Sequence, residues 1–182
     1  MSVRPPDGSL TWNVAGLLAE TAGADRQYPV AGVKLDLGEA VVLAQPIAGT
    51  VRLVRSNRGI LANADLGTDL ATECSRCLKP LTIPIRIELH EEFLPSLDLT
   101  SGRPVPTDDE PDAMRLDDHH ELDLESSVRE AIWLAEPIAP VCRPDCPGLC
   151  FTCGERLDEG EHDHPDTDID PRMEALRAFQ PD

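Results

Sequence analysis

Val141-Cys-Arg-Pro-Asp-Cys146-Pro-Gly-Leu-Cys150-Phe-Thr-Cys153-Gly154 brings four thiols, the first at Cys142, into twelve residues. Thiolates this dense, divided by turn-forming spacers, can surround one tetrahedral ion at Zn–S distances of about 2.3 Å. The last pair carries the most information. Cys150-Phe-Thr-Cys153 lets the chain turn around a metal, and Gly154 leaves room for backbone N–H groups to approach the sulfurs. Cys74-Ser-Arg-Cys77 repeats the two-residue spacing, so all six cysteines lie in clusters of this kind. The pattern predicts a structural metal protein.

His162 and His164 follow the cluster in Glu161-His-Asp-His-Pro165, which raises the donor set to eight, enough for two tetrahedral ions. The economical arrangement holds one Zn²⁺ with Cys142, Cys146, Cys150 and Cys153. A second ion would then sit among Cys74, Cys77, His162 and His164. Other partitions remain open, including one in which Cys74 and Cys77 share an ion with Cys150 and Cys153. Four thiolates also suit an iron–sulfur cluster, but the glycine-containing knuckle fits zinc better. Four thiolates close the coordination shell and make a poor Lewis acid, so the metal should stabilise the fold. The chain shows no glycine-rich phosphate loop and no serine elbow, and His119-His120 has no partnered nucleophile. The expectation is a non-enzymatic protein.

Bulk properties narrow the setting. A chain of 182 residues supports one domain, with or without a small appended module. No segment approaches the roughly 20 apolar residues of a membrane helix. The first residues, Met-Ser-Val-Arg-Pro-Pro-Asp-Gly, lack the apolar stretch of a secretory signal. A cytoplasmic, reduced setting is therefore expected, and it disfavours a disulfide framework. A redox role for Cys74 and Cys77 would need a helix N-terminus to acidify a thiol. Here Pro80 follows closely and the flanks alternate like strands.

The net charge of −18 is uneven: residues 96–182 hold 7 Lys/Arg against 23 Asp/Glu. Residues 52–86 reverse the sign, which nominates Arg52, Arg55, Arg58, Arg76 and Lys79 as a limited RNA-facing surface. The bland reading makes them solvated strand-face arginines. The acidic half would face a basic partner.

Organisation follows from periodicity. Val14, Leu17 and Leu18 have helical spacing in a short segment ending near Gly23. Period-two patterning then predicts strands over residues 32–37, 48–56, 59–66, 69–74 and 82–94, with turns at 56–59, 66–67 and 79–80. Connections this short favour antiparallel neighbours, so the expected fold is α+β: a curved antiparallel sheet, packed helices and a C-terminal zinc module. The proline-rich acidic stretch 95–118 is expected to be a flexible loop. Residues 121–136 predict a helix with Asp123 as cap, Leu124, Val128, Ile132 and Ala135 as its apolar stripe, Trp133 at core or rim, and Pro137 as terminator. A last helix should open at Asp170-Pro171, with Met173, Leu176 and Phe179 on one side. The expected division is a β-rich domain over 1–118 and a helix plus Cys-rich module over 119–182.

Several motifs occur in one order: Glu-Cys-Ser-Arg-Cys-Leu-Lys-Pro (73–80), Leu-Asp-Leu-Glu (122–125), Leu-Ala-Glu-Pro-Ile-Ala-Pro-Val-Cys (134–142), Cys-Pro-Gly-Leu-Cys-Phe-Thr-Cys-Gly (146–154) and Ile-Asp-Pro-Arg (169–172). This order resembles the YceD family, the large-ribosomal-RNA-subunit accumulation proteins, over roughly residues 30–179. The resemblance implies a bacterial cytoplasmic accessory factor in ribosome assembly, without catalysis, whose partner is ribosomal RNA or a large-subunit ribosomal protein. It also implies metal-ligand chemistry at His162 and His164, where members of the family often carry Cys-x-Cys. A protein-only adaptor, binding a basic partner through its acidic half, is the alternative.

Overall fold

The computed structural model describes residues 8–38, 41–98, 100–106, 110–164 and 172–173. In chain order its elements are β1 (Thr11–Asn13), α1 (Ala15–Leu18), β2 (Asp25–Val33), β3 (Val42–Leu43), β4 (Ile47–Arg55), β5 (Ile60–Glu73), β6 (Pro80–Leu94), β7 (Met114–Arg115), β8 (Glu121–Asp123) and α2 (Glu125–Ala135). The chain divides into two compact units: Met1–Thr72 with Pro80–Ile138, and Glu73–Lys79 with Ala139–Asp182. The helix α2 thus belongs to the first unit. The Cys74/Cys77 segment belongs with the C-terminal cysteines, although the whole stretch Pro80–Ile138 lies between it and Ala139.

Alternation builds the main sheet of the first unit, in the order β2-β4-β5-β6-β7, with β3 also pairing β5. Ile60, Ala62, Ala64 and Leu66 bury one face of β5, and Val51 and Leu53 do so on β4. The sheet is mixed rather than antiparallel, because β7 pairs parallel with β6, Phe93 against Met114. The long connection from Leu94 to Met114 gives the chain room to return in the same direction, which a tight hairpin cannot do. The predicted turn at residues 66–67 is absent: β5 runs unbroken to Glu73. Gly67 lies opposite Ala48 of β4, and Leu70 and Ala71 continue the ladder on β3, so the glycine sits inside a paired strand. The strand expected at 32–37 begins earlier, as β2, where Asp25 to Val30 pair with β4. Pro29 is tolerated there because β2 ends the sheet and one side of it needs no donors.

Helix α2 forms where its stripe predicts. Leu124, Val128 and Ile132 are fully buried, and the helix packs on β6. Asp123 accepts the Glu125 N–H at 2.8 Å, so the expected cap acts one residue outside the helix boundary at Leu124. Trp133 is half exposed at the rim. Val14, Leu17 and Leu18 are buried on and beside α1. An unanticipated two-stranded sheet joins β1 to β8, placing the buried Trp12 and Leu122 opposite each other. The acidic stretch is more organised than composition suggested: Asp98 accepts the N–H groups of Thr100 and Ser101, and Leu116 is buried. Of the expected last helix, only Arg172 and Met173 fall within the described residues, in a short helical turn. Asp170, Pro171, Leu176 and Phe179 lie outside them.

Candidate metal centres

Two knuckles of identical hydrogen bonding organise the second unit. In the first, the Cys74 N–H donates to the Lys79 carbonyl at 2.8 Å and the Leu78 N–H donates to the Cys74 carbonyl at 2.9 Å. In the second, the Cys150 N–H donates to the Glu155 carbonyl at 2.7 Å and the Gly154 N–H to the Cys150 carbonyl at 2.8 Å. Both turns need a left-handed residue directly after the second cysteine. Gly154 adopts φ +76° without penalty, whereas Leu78 is held at φ +57°, a region bulky residues rarely occupy.

The structure divides the eight donors differently from the economical arrangement. Cys74, Cys77, Cys142 and Cys146 form one group, and Cys150, Cys153, His162 and His164 the other; within each group the ligand atoms lie within 4.8 Å of one another. All six cysteines are free thiols. In the first group the Cys74–Cys146 and Cys77–Cys142 sulfur distances are both 3.8 Å. A tetrahedron with metal–sulfur bonds of about 2.3 Å has edges of about 3.8 Å. In the second group Cys153 Sγ lies 3.6 Å from His162 Nδ1, again the edge length of a tetrahedral site.

Surrounding groups aim these donors. The Cys142 N–H donates to Cys74 Sγ at 3.4 Å. Burial opposes ionisation of Cys74, yet N–H groups of Cys142, Cys77 and Arg76 outweigh it and bring this thiol down to about 6. Burial, then the facing sulfurs of Cys146, Cys77 and Cys74, push Cys142 up to about 12. Sulfurs packed this tightly resist joint ionisation, and a divalent cation among them removes that conflict. In the second group, N–H groups of Cys153 and Thr152 lower the Cys150 thiol to about 6. His162 Nε2 lies 2.8 Å from the Arg156 carbonyl, so it carries the proton and leaves the Nδ1 lone pair facing Cys153. Arg156 in turn donates from Nε to the Cys77 carbonyl at 3.1 Å. Sequence reasoning missed both Arg156 and Leu78. Only the alignment of one knuckle on the other, position by position, would have exposed Leu78.

The five nominated cations divide between the two units. Arg52, Arg55 and Arg58 belong to the first unit, Arg76 and Lys79 to the second. Arg55 is half-buried and spends its guanidinium on the carbonyls of Leu18, Ser56 and Gly59. Arg76 donates to the carbonyls of Pro144 and Cys146, which ties the first knuckle to the segment carrying Cys146. Arg52 pairs with Asp25 at 2.9 Å, and Arg58 with Glu92 and Glu110 at 2.6 Å each. Exposed pairs of this kind are worth about 0–1 kcal/mol, so a polyanion can compete for them. Lys79 is exposed and has no ion pair among the described residues. A groove of about 390 Å³ crosses the outer sheet face, lined in part by Arg52, Asn63, Arg86 and His90. Arg86, which the sequence did not single out, holds Asp65 by two hydrogen bonds there.

A mixed sheet and a module of paired cysteine knuckles in one chain define a small protein class rich in metal-donor side chains. The sequence model of the family described as "Large ribosomal RNA subunit accumulation protein YceD" matches residues 62–180, and the chain belongs to that family. Uncharacterized proteins of Mycobacterium tuberculosis and Mycobacterium bovis are each 35% identical over 126 residues, covering 69% of this chain and 58% of theirs. An uncharacterized protein of Mycobacterium leprae is 32% identical over 126 residues, covering 69% of this chain and 55% of its own. The chain therefore spans a little over half the length of these relatives. No solved structure matches.

Proposed function

We propose that this protein is a non-enzymatic accessory factor for accumulation of large-subunit ribosomal RNA, with a second unit folded around bound Zn²⁺. The observation that carries the reading is the family match, which runs from β5 through both knuckles. The tetrahedral edge lengths and the closed four-thiolate group support a stabilising ion rather than a Lewis-acid catalyst. The family's description also supports a cytoplasmic place of work. No helix among the described residues is long and apolar enough to cross a membrane. Arg52, Arg58, Arg86 and Lys79 are the cations available to RNA, since Arg55 and Arg76 hold backbone carbonyls. The test is the ratio of large- to small-subunit ribosomal RNA in cells depleted of the protein, complemented by wild type or by a variant with those four cations changed to Gln. A ratio unchanged by depletion overturns the reading. Full complementation by the Gln variant moves the contact to protein.

One observation favours that second reading. At the end of α2, Trp133, Leu134 and Ile138 are 50%, 81% and 104% exposed, bordered by exposed Glu130 and Glu136. Neither carboxylate has an ion pair among the described residues. Such a patch suits a basic protein segment bearing an apolar anchor. A partner that survives ribonuclease treatment, and is lost with Leu134→Ser, supports the adaptor. Loss of all partners on digestion removes it.

A further inference from the structure

The two candidate centres share a knuckle but differ in everything that governs release of an ion. In the first, Cys74, Cys77 and Cys146 are 0%, 3% and 3% exposed. In the second, Cys153 and His164 are exposed, His162 is half-buried and only Cys150 is covered. We propose that Cys150, Cys153, His162 and His164 form an exchangeable site for a borderline divalent ion such as Zn²⁺, while the four-cysteine centre retains its ion. The inference rests on the reading that the second unit binds metal, and it divides that unit into a fixed part and a responsive part.

Three physical differences carry it. An incoming donor must reach the ion before a bound one leaves, and the exposed face at Cys153 and His164 offers that approach. The donors also differ: two thiolates are replaced by neutral imidazoles, which contribute no charge against a cation. Chain connectivity is the third. All four donors of the second centre lie within residues 150–164, so releasing its ion parts no distant segments of the chain. The first centre joins cysteines 65 or more residues apart. Releasing its ion means parting two segments that other bonds also clamp: the Ser75 N–H and hydroxyl to the Pro140 carbonyl, and Arg76 to the Pro144 and Cys146 carbonyls. Glu155, Asp158, Glu159, Glu161 and Asp163 surround the open centre in sequence and raise the local cation concentration at its mouth.

The experiment mixes zinc-loaded protein with a chromogenic chelator at neutral pH and follows metal transfer. Two resolved phases of one equivalent each are expected, the second the slower. His164→Ala should abolish the fast equivalent and leave the slow one. Cobalt loading gives a second readout: exchange should replace the two-thiolate, two-imidazole spectrum first and leave the four-thiolate charge-transfer band. A single phase releasing two ions overturns the inference and leaves the metal reading standing. So does a fast phase that persists in His164→Ala. A single bound ion that is lost in Cys146→Ser but kept in His164→Ala also overturns it. Protein that is folded and contains no metal overturns the metal reading itself.

Discussion

The two knuckles are the same turn built under opposite constraints. Each closes with paired N–H to carbonyl bonds of 2.7–2.9 Å and a left-handed residue after its second cysteine. One, Cys150 to Glu155, uses Gly154, draws its other ligands from the next few residues and stands open to solvent. The other, Cys74 to Lys79, connects β5 to β6 in the chain, tolerates Leu78 in a glycine's conformation and draws its remaining ligands from Cys142 and Cys146. Local chemistry therefore makes the turn, and what the turn recruits decides whether it is a clamp or an open site.

The largest expected effect breaks the clamp. Cys146→Ser should remove one metal equivalent and unfold the second unit, because structural zinc supplies about 10 kcal/mol or more of apparent binding free energy. Cys153→Ser should remove one equivalent with a much smaller loss of structure. Hydrogen exchange over residues 139–164, read beside metal content, checks both; equal protection losses would erase the proposed difference between the centres. Ile132→Ala, which truncates a fully buried side chain on α2, should cost the first unit about 2–5 kcal/mol and leave metal content at the wild-type value. Thermal unfolding with metal analysis of the same sample tests it, and metal loss would show that the two units do not fold separately.

Exchanging the left-handed residues sharpens the comparison further. Gly154→Leu should destabilise the second knuckle by about 1–2 kcal/mol, since a Cβ is penalised at φ +76°. Leu78→Gly should be close to neutral: relief of that strain offsets the added freedom of the unfolded chain, and Leu78 is 54% exposed and gives up little packing. Denaturant midpoints of the two variants measure the asymmetry directly. Another small effect lies away from both knuckles. Arg58 hydrogen-bonds Glu92 and, with Ser56, holds that carboxyl below its ordinary 4.5. A depressed carboxyl stabilises the fold above its unfolded pKa, and the contribution disappears as pH falls through the lower folded value. Glu92→Gln should therefore cost about 1 kcal/mol or less at pH 7 and nothing in strong acid. A variant equally destabilised at both ends would mean that Glu92 acts through packing.

Much of the sheet was legible because a half-buried strand must alternate: Ile60, Ala62, Ala64 and Leu66 announce an inward face whatever their partners are. Helix α2 was legible for the same reason at a different period. Gly67 misled because a glycine reads as a turn until a neighbouring strand is known to pair across it. The parallel β7 was illegible, since two residues carry no periodic signal and their direction depends on how a long connection returns. Among the cations, sequence could not separate Arg52, which points outward to an exposed carboxylate, from Arg55 and Arg76, whose guanidinium groups hold backbone carbonyls.

The chain's own residues determined that eight sulfur and imidazole donors would matter and that two pairs of cysteines would form knuckles, because a two-residue spacer dictates a turn of fixed size. The company each knuckle keeps was decided only in three dimensions. Proximity along the chain favoured Cys142 and Cys146 as partners for Cys150 and Cys153. Folding instead brought them to Cys74 and Cys77, whose ligand atoms they meet across more than sixty residues of intervening chain. Spacing encodes local geometry, but the meeting of distant segments depends on packing and hydrogen bonds, such as those from Ser75 and Arg76, that no short motif contains.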